Sequence, residues 1–132
     1  MVGRLVGGGV AGIFLSFVVS APVLAAAPGN DDISNATAVT SLPFTDSLDT
    51  TEATTAADDP NCAGNGHTVW YTFTPTDDQT LLADTFGSDY DTTLSVYTGS
   101  PGSLTQIECS DDTGGSLQSA VLFEAESGTT YF

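Results

Sequence analysis

From residue 30 onward, apolar and polar positions alternate in short runs separated by turn residues. Hardly any segment shows the three-to-four spacing of an amphipathic helix, so the pattern predicts strands. Residues 68–74 are the strongest case, with Val69, Tyr71 and Phe73 on one face, Trp70 and Thr72 on the other, and Pro75 ending the run. Further strands are expected at 80–86, 92–97, 105–110 and 119–125, each bounded by Gly, Asp or Ser. In the last of these, Val121, Phe123 and Ala125 form the inward face and Glu124 turns to water. Residues 44–49 alternate as an edge strand after Pro43. Residues 34–40 read either as a helical turn capped by Asp32 or Ser34 or as an irregular lead into the first strand. Several short strands at regular spacing, with no room for helical crossovers, predict an all-β chain folded as an antiparallel β-sandwich.

Two places shape that expectation. In residues 86–99, Gly87 and Ser88 allow a reversal, and Asp89 and Asp91 are spaced to turn their carboxylates onto nearby backbone N–H groups. Leu94 and Val96 then fall on one strand face, with Thr93, Ser95 and Tyr97 on the other. At the far end, a turn at 126–128 opens a strand at 129–132. That final strand is expected to be truncated, because stopping at Tyr131 and Phe132 leaves a neighbour's edge unpaired.

The start of the chain differs in kind. Arg4, an apolar run over 10–19 and the small residues Ala25, Ala26 and Ala27 form a secretory leader over residues 1–25, with Val23 and Ala25 before the cut. A transmembrane anchor is the competing reading. It needs about 20 apolar residues, and this run is interrupted by Gly12, Ser16 and Ser20. Residues 26–132 are then one exported domain.

Charge narrows the partners. The leader carries Arg4, the only basic side chain, while the rest holds all 17 acidic residues and one histidine, His67. Nucleic acid and anionic membrane surfaces, which select Lys and Arg clusters, are therefore excluded as partners of the mature chain. The acids include the pairs Asp31–Asp32, Asp58–Asp59, Asp77–Asp78 and Asp111–Asp112, which suit a hard cation and suit ordinary turns equally. Cys62 and Cys109, an even count in an exported chain without Cys-x-x-Cys spacing, predict a disulfide. Closing that loop restricts the unfolded chain by roughly 4 kcal/mol.

Catalysis finds little support. His67 is the one available general base, it follows Asn65-Gly66 in a loop, and no Gly-x-Ser-x-Gly elbow exists. A paired-carboxylate glycosidase is compatible with residue type alone, but abundant acids in turns generate close pairs by chance. Trp70, Tyr90 and Tyr97 could stack on a sugar or peptide. Trp70, opposite the more apolar face of its run, is the candidate ligand-facing residue, although burial in the core is the stronger reading for a strand tryptophan.

Four blocks, taken in order, carry a family resemblance. They are Asn30-Asp31-Asp32-Ile33-Ser34-Asn35-Ala36, then Thr68-Val69-Trp70-Tyr71-Thr72-Phe73-Thr74-Pro75, then residues 84–99, and Ser110-Asp111-Asp112. Together they resemble the bacterial pre-peptidase C-terminal domain family across residues 30–132. The resemblance implies a β-sandwich of jelly-roll type, an accessory module of secreted proteins often linked to a peptidase, with collagenase relatives that bind collagen and calcium. It implies calcium ligation by Asn30 and Asp31; a further carboxylate would be needed, for which Asp46 or Asp49 is a candidate donor that the resemblance itself does not assign. Here Pro28 and Gly29 stand where those relatives place a glutamate, and Asp31 or Asp32 serves equally as a turn cap.

The expected function is that of a secreted, non-catalytic module. It binds an extracellular protein or polysaccharide, or assists a covalently linked peptidase domain, with calcium as the implied cofactor. The alternatives are a maturation or secretion domain without a stable ligand and, from another class, a hydrolase using surface carboxylates or His67.

Overall fold

Strands form where β-branched and aromatic residues alternate with polar ones, and they stop where Gly, Pro or paired Asp intervenes. The computed structural model describes residues 25–132, so the expected leader lies outside the described residues apart from Ala25. Six strands follow in order: β1 Thr37–Val39, β2 Tyr71–Phe73, β3 Gln79–Asp84, β4 Leu94–Ser100, β5 Ser103–Ser110 and β6 Ala120–Ala125. The N-terminal segment opens with the capped helical turn, but its second half is a strand where the alternative reading had an irregular lead. A 3-10 turn spans Ile33–Asn35, capped by the Asp32 carboxylate, which accepts the Ser34 N–H at 2.7 Å, and β1 follows it. No α-helix occurs among the described residues.

The chain is thus mostly β, arranged as three two-stranded sheets: β1 with β2, β3 with β6, and β4 with β5. The last two pairs are antiparallel, as expected, whereas β1 and β2 run parallel. A parallel neighbour needs a return path of sufficient length rather than a helix as such, and the irregular segment 40–70 supplies one. The edge strand expected at 44–49 does not form, because its alternation meets no partner strand. Phe44 instead sets its ring edge-on to Tyr71, with centroids 5.9 Å apart.

Residues 131 and 132 join two of these sheets. Tyr131 exchanges backbone hydrogen bonds of 2.9 and 3.0 Å with Phe73 of β2. Phe132 exchanges two of 2.9 Å with Tyr97 of β4. Successive residues of an extended chain direct their backbone groups to opposite sides, so two residues suffice to span from one strand to the other. The strand expected at 129–132 is reduced to this clasp.

The core follows the predicted face of β6. Val121, Phe123 and Ala125 are buried with Val96 of β4 and with Tyr131, while Leu81, Ala83 and Leu94 pack against them. The Phe123 and Tyr131 rings lie 5.2 Å apart. Tyr97, next to Val96 and therefore on the other face of β4, is also buried, and its ring meets Trp70 at 6.0 Å. Trp70 is only 5 % exposed. Burial in the core, the stronger of the two readings of this residue, is what the structure shows, and its candidacy as a ligand-facing residue falls: the ring just before β2 is consumed in covering the second face of β4.

Opposite these two residues, β5 carries a bulge. Val96 pairs with Glu108 and Tyr97 with Gln106, leaving Ile107 as the extra residue. The predicted disulfide between Cys62 and Cys109 is present and ties the irregular segment to β5.

Candidate functional site

The turn at 84–92 is fixed by neutral hydroxyls rather than by the acids singled out in the sequence. The Asp84 carboxylate accepts the Phe86 N–H at 3.0 Å. The hydroxyls of Thr85 and Thr92 lie 2.6 Å apart, and the Thr85 hydroxyl accepts the Ser119 N–H at 2.9 Å. The Ser119 hydroxyl, fully buried, reaches the carbonyls of Thr92 and Asp111. Asp89 and Asp91 make no hydrogen bond to backbone or side chain among the described residues, contrary to the turn-forming role expected of them. With the turn held by others, their carboxylates and the Tyr90 ring project outward, Tyr90 being 48 % exposed.

That projection forms one wall of an open cleft of about 830 Å³. Asp89, Tyr90 and Asp91 meet residues 47–51 of the irregular segment, together with Gly66 and His67. The walls are latched where the Tyr90 hydroxyl and the Thr50 hydroxyl stand 2.7 Å apart. Thr51 in turn donates to the Asp49 carboxylate from its hydroxyl at 2.6 Å and from its N–H at 2.9 Å. The hydroxyl bond first, then the N–H, holds the Asp49 carboxyl below its ordinary range, so it is ionised at neutral pH. A smaller hollow of about 200 Å³ beside Leu42 and Phe73 offers no carboxylate or imidazole.

His67 occupies the cleft with a backbone φ of 58°. This left-handed conformation is uncommon for residues other than glycine. Its Nδ1 lies 2.7 Å from the Ala53 carbonyl oxygen. A carbonyl only accepts, so Nδ1 carries a proton and donates it to this oxygen. Among the described residues neither a serine nor a carboxylate hydrogen-bonds the ring, so the serine–histidine–acid relation of a hydrolase is not assembled there.

The residues expected to hold calcium have other partners. Asn30 is buried, its Nδ2 donating to the Trp70 carbonyl at 2.9 Å and its own carbonyl accepting the Trp70 N–H at 2.9 Å. The Asp31 carboxylate accepts the Thr54 N–H at 2.5 Å and the Thr54 hydroxyl at 2.8 Å. Asp46 accepts from the Tyr71 hydroxyl at 3.1 Å. Burial first, then the bond to Asp46 and its negative charge, raises the Tyr71 pKa above 10.0, while a hydrogen bond from Asn30 opposes the rise. Asn30 thus holds the backbone at Trp70, Asp46 holds the Tyr71 hydroxyl, and Asp31 pins the irregular segment. Calcium takes six to eight oxygens. No group of three or more His, Cys, Asp or Glu side chains gathers for a metal among the described residues. Asn30 and Asp31 alone fall well short of that donor set.

Sequence reasoning named His67, Asp49, Asp89 and Asp91 separately and saw no relation among them. Their meeting depends on the path of residues 47–67, which no local spacing encodes. The chain matches no family model, no curated protein and no solved structure.

Proposed function

We propose that this chain is a secreted, non-catalytic accessory module of the pre-peptidase C-terminal type, a β-sandwich of jelly-roll kind that binds an extracellular protein or polysaccharide. The observation that carries the reading is the cleft. An exposed aromatic ring, Tyr90, stands among Asp49, Asp89 and Asp91, beside a histidine whose proton is committed to a backbone carbonyl. Such a surface offers a stacking face and several acceptors, but no activated nucleophile. The acids favour a ligand bearing ammonium or guanidinium groups, or one rich in hydroxyl donors. Apart from Arg4 the chain has no Lys or Arg of its own to compete for them.

Retention on insoluble collagen, chitin, chitosan and cellulose tests this reading. The protein is expected to be retained on at least one, with Tyr90→Ala abolishing retention and Trp70→Phe leaving it intact. Failure to bind any of them, or retention indifferent to Tyr90→Ala, would point instead to a maturation domain without a stable ligand. Hydrolysis of a chromogenic ester or glycoside that is lost in His67→Ala would overturn the non-catalytic reading.

A further inference from the structure

The outer face of the β3–β6 ladder carries the two most exposed large apolar side chains among the described residues, side by side. Leu82 and Leu122 are direct partners in its register, and they are 64 % and 63 % exposed. Their strand neighbours Leu81, Ala83, Val121 and Phe123 face the core, so the two leucines stand on a rigid, packed support. Two positions along on the same face, the pair Asp84–Ala120 lies at one end and the pair Thr80–Glu124 at the other. The Thr80 hydroxyl donates to Glu124 at 2.8 Å, which fixes that carboxylate beside the leucines. An apolar centre is therefore bracketed by a carboxylate at each end.

We propose that this face docks a protein surface that presents apolar side chains between lysines or arginines. Charge selects the occupant. The chain carries 17 acidic residues and, apart from Arg4, no Lys or Arg. A second copy would bring carboxylate against carboxylate, and anionic lipid or nucleic acid would be repelled in the same way. A partner with cations flanking an apolar centre pairs both ends and covers both leucines. This surface is separate in its residues from the cleft at Tyr90, and it stands whether or not the cleft reading does.

The test uses two labelled synthetic peptides, one alternating Lys and Leu and one alternating Lys and Ser, with binding read by fluorescence anisotropy and mapped by amide chemical shifts. The Lys–Leu peptide is expected to bind and to perturb amides at 80–84 and 120–124. Its affinity should fall about tenfold or more in Leu82→Ser/Leu122→Ser, fall more modestly in Asp84→Asn/Glu124→Gln, and persist in Tyr90→Ala. Thermal melts of each variant establish that it is folded. Equal affinity for the Leu82→Ser/Leu122→Ser variant would overturn the proposal, as would shifts confined to the cleft or equal binding of the Lys–Ser peptide. So would a concentration-dependent dimer of the unmodified protein that Leu82→Ser/Leu122→Ser abolishes, since a second copy would then be the occupant.

Discussion

The two faces of β4 are closed by different means. On the Val96 side, side chains from β3, β6 and Tyr131 form an apolar cluster, and the Tyr131 hydroxyl accepts the Glu126 N–H at 2.9 Å. On the Tyr97 side, the cover is Trp70 together with a segment lacking strands or helices, held by the disulfide and by side-chain bonds from Asn30 and Asp31. There the Trp70 Nε1 and the Tyr97 hydroxyl are buried and find no hydrogen-bond partner among the described residues. The first face is stabilised by burial, which is cooperative and indifferent to chain path. The second depends on cross-links that fix a path, and it retains uncompensated polar atoms that the first does not.

Opening the disulfide is the severest way to separate the faces. Replacing Cys62 and Cys109 by serine is expected to cost roughly 4 kcal/mol by loop closure. Hydrogen exchange should quicken at 53–68 while the amides of β3 and β6 keep their relative protection. Uniform loss across both regions would show that the two faces unfold as one unit. Next in size is Phe123→Ala, about 3 kcal/mol by urea denaturation, because the cavity opens in the face that has only packing to rely on. A cost below about 1 kcal/mol would mean that this cluster collapses around the loss and is no tighter than its counterpart. Smallest is Tyr97→Phe, which removes an unpaired buried hydroxyl. Stability should be unchanged or rise by about 1 kcal/mol, and a comparable fall would reveal a partner for that hydroxyl and remove the contrast.

The sequence was most readable where one face of a strand is buried and the other wet. Val121, Phe123 and Ala125 alternate with Leu122 and Glu124, and β6 takes that form. The disulfide was readable from residue count and spacing. The run at 44–49 alternates just as well but finds no sheet edge, which shows that period alone does not supply a partner. Trp70 lies on the less apolar side of its run, and the general tendency of tryptophan toward burial, rather than the alternation, foretells its place against Tyr97. The leucines at 82 and 122 were visible as apolar residues out of phase with their strands, a signal that gains meaning once the register places them opposite each other. Only the fold brings His67 to Asp89 and Asp91, through contacts distant in sequence.

The clasp at residues 131 and 132 also bears on how the chain acquires its shape. No ladder links β2 directly to β4 among the described residues. Phe73 and Tyr97 are connected by hydrogen bonds that pass through Tyr131 and Phe132. The β4–β5 hairpin, closed at Gly99 where even a methyl group would run into the Ser103 carbonyl oxygen, forms from neighbours in sequence. The junction between β2 and β4 has no such local nucleus and must wait for a distant segment to arrive, at the entropic cost of closing long loops. Stopped-flow refolding of this chain is therefore expected to be slow, in roughly the millisecond-to-second range of topologies dominated by non-local pairing; refolding in microseconds would count against this. The β4–β5 hairpin should be ordered well before the tyrosine and phenylalanine that join β2 to β4.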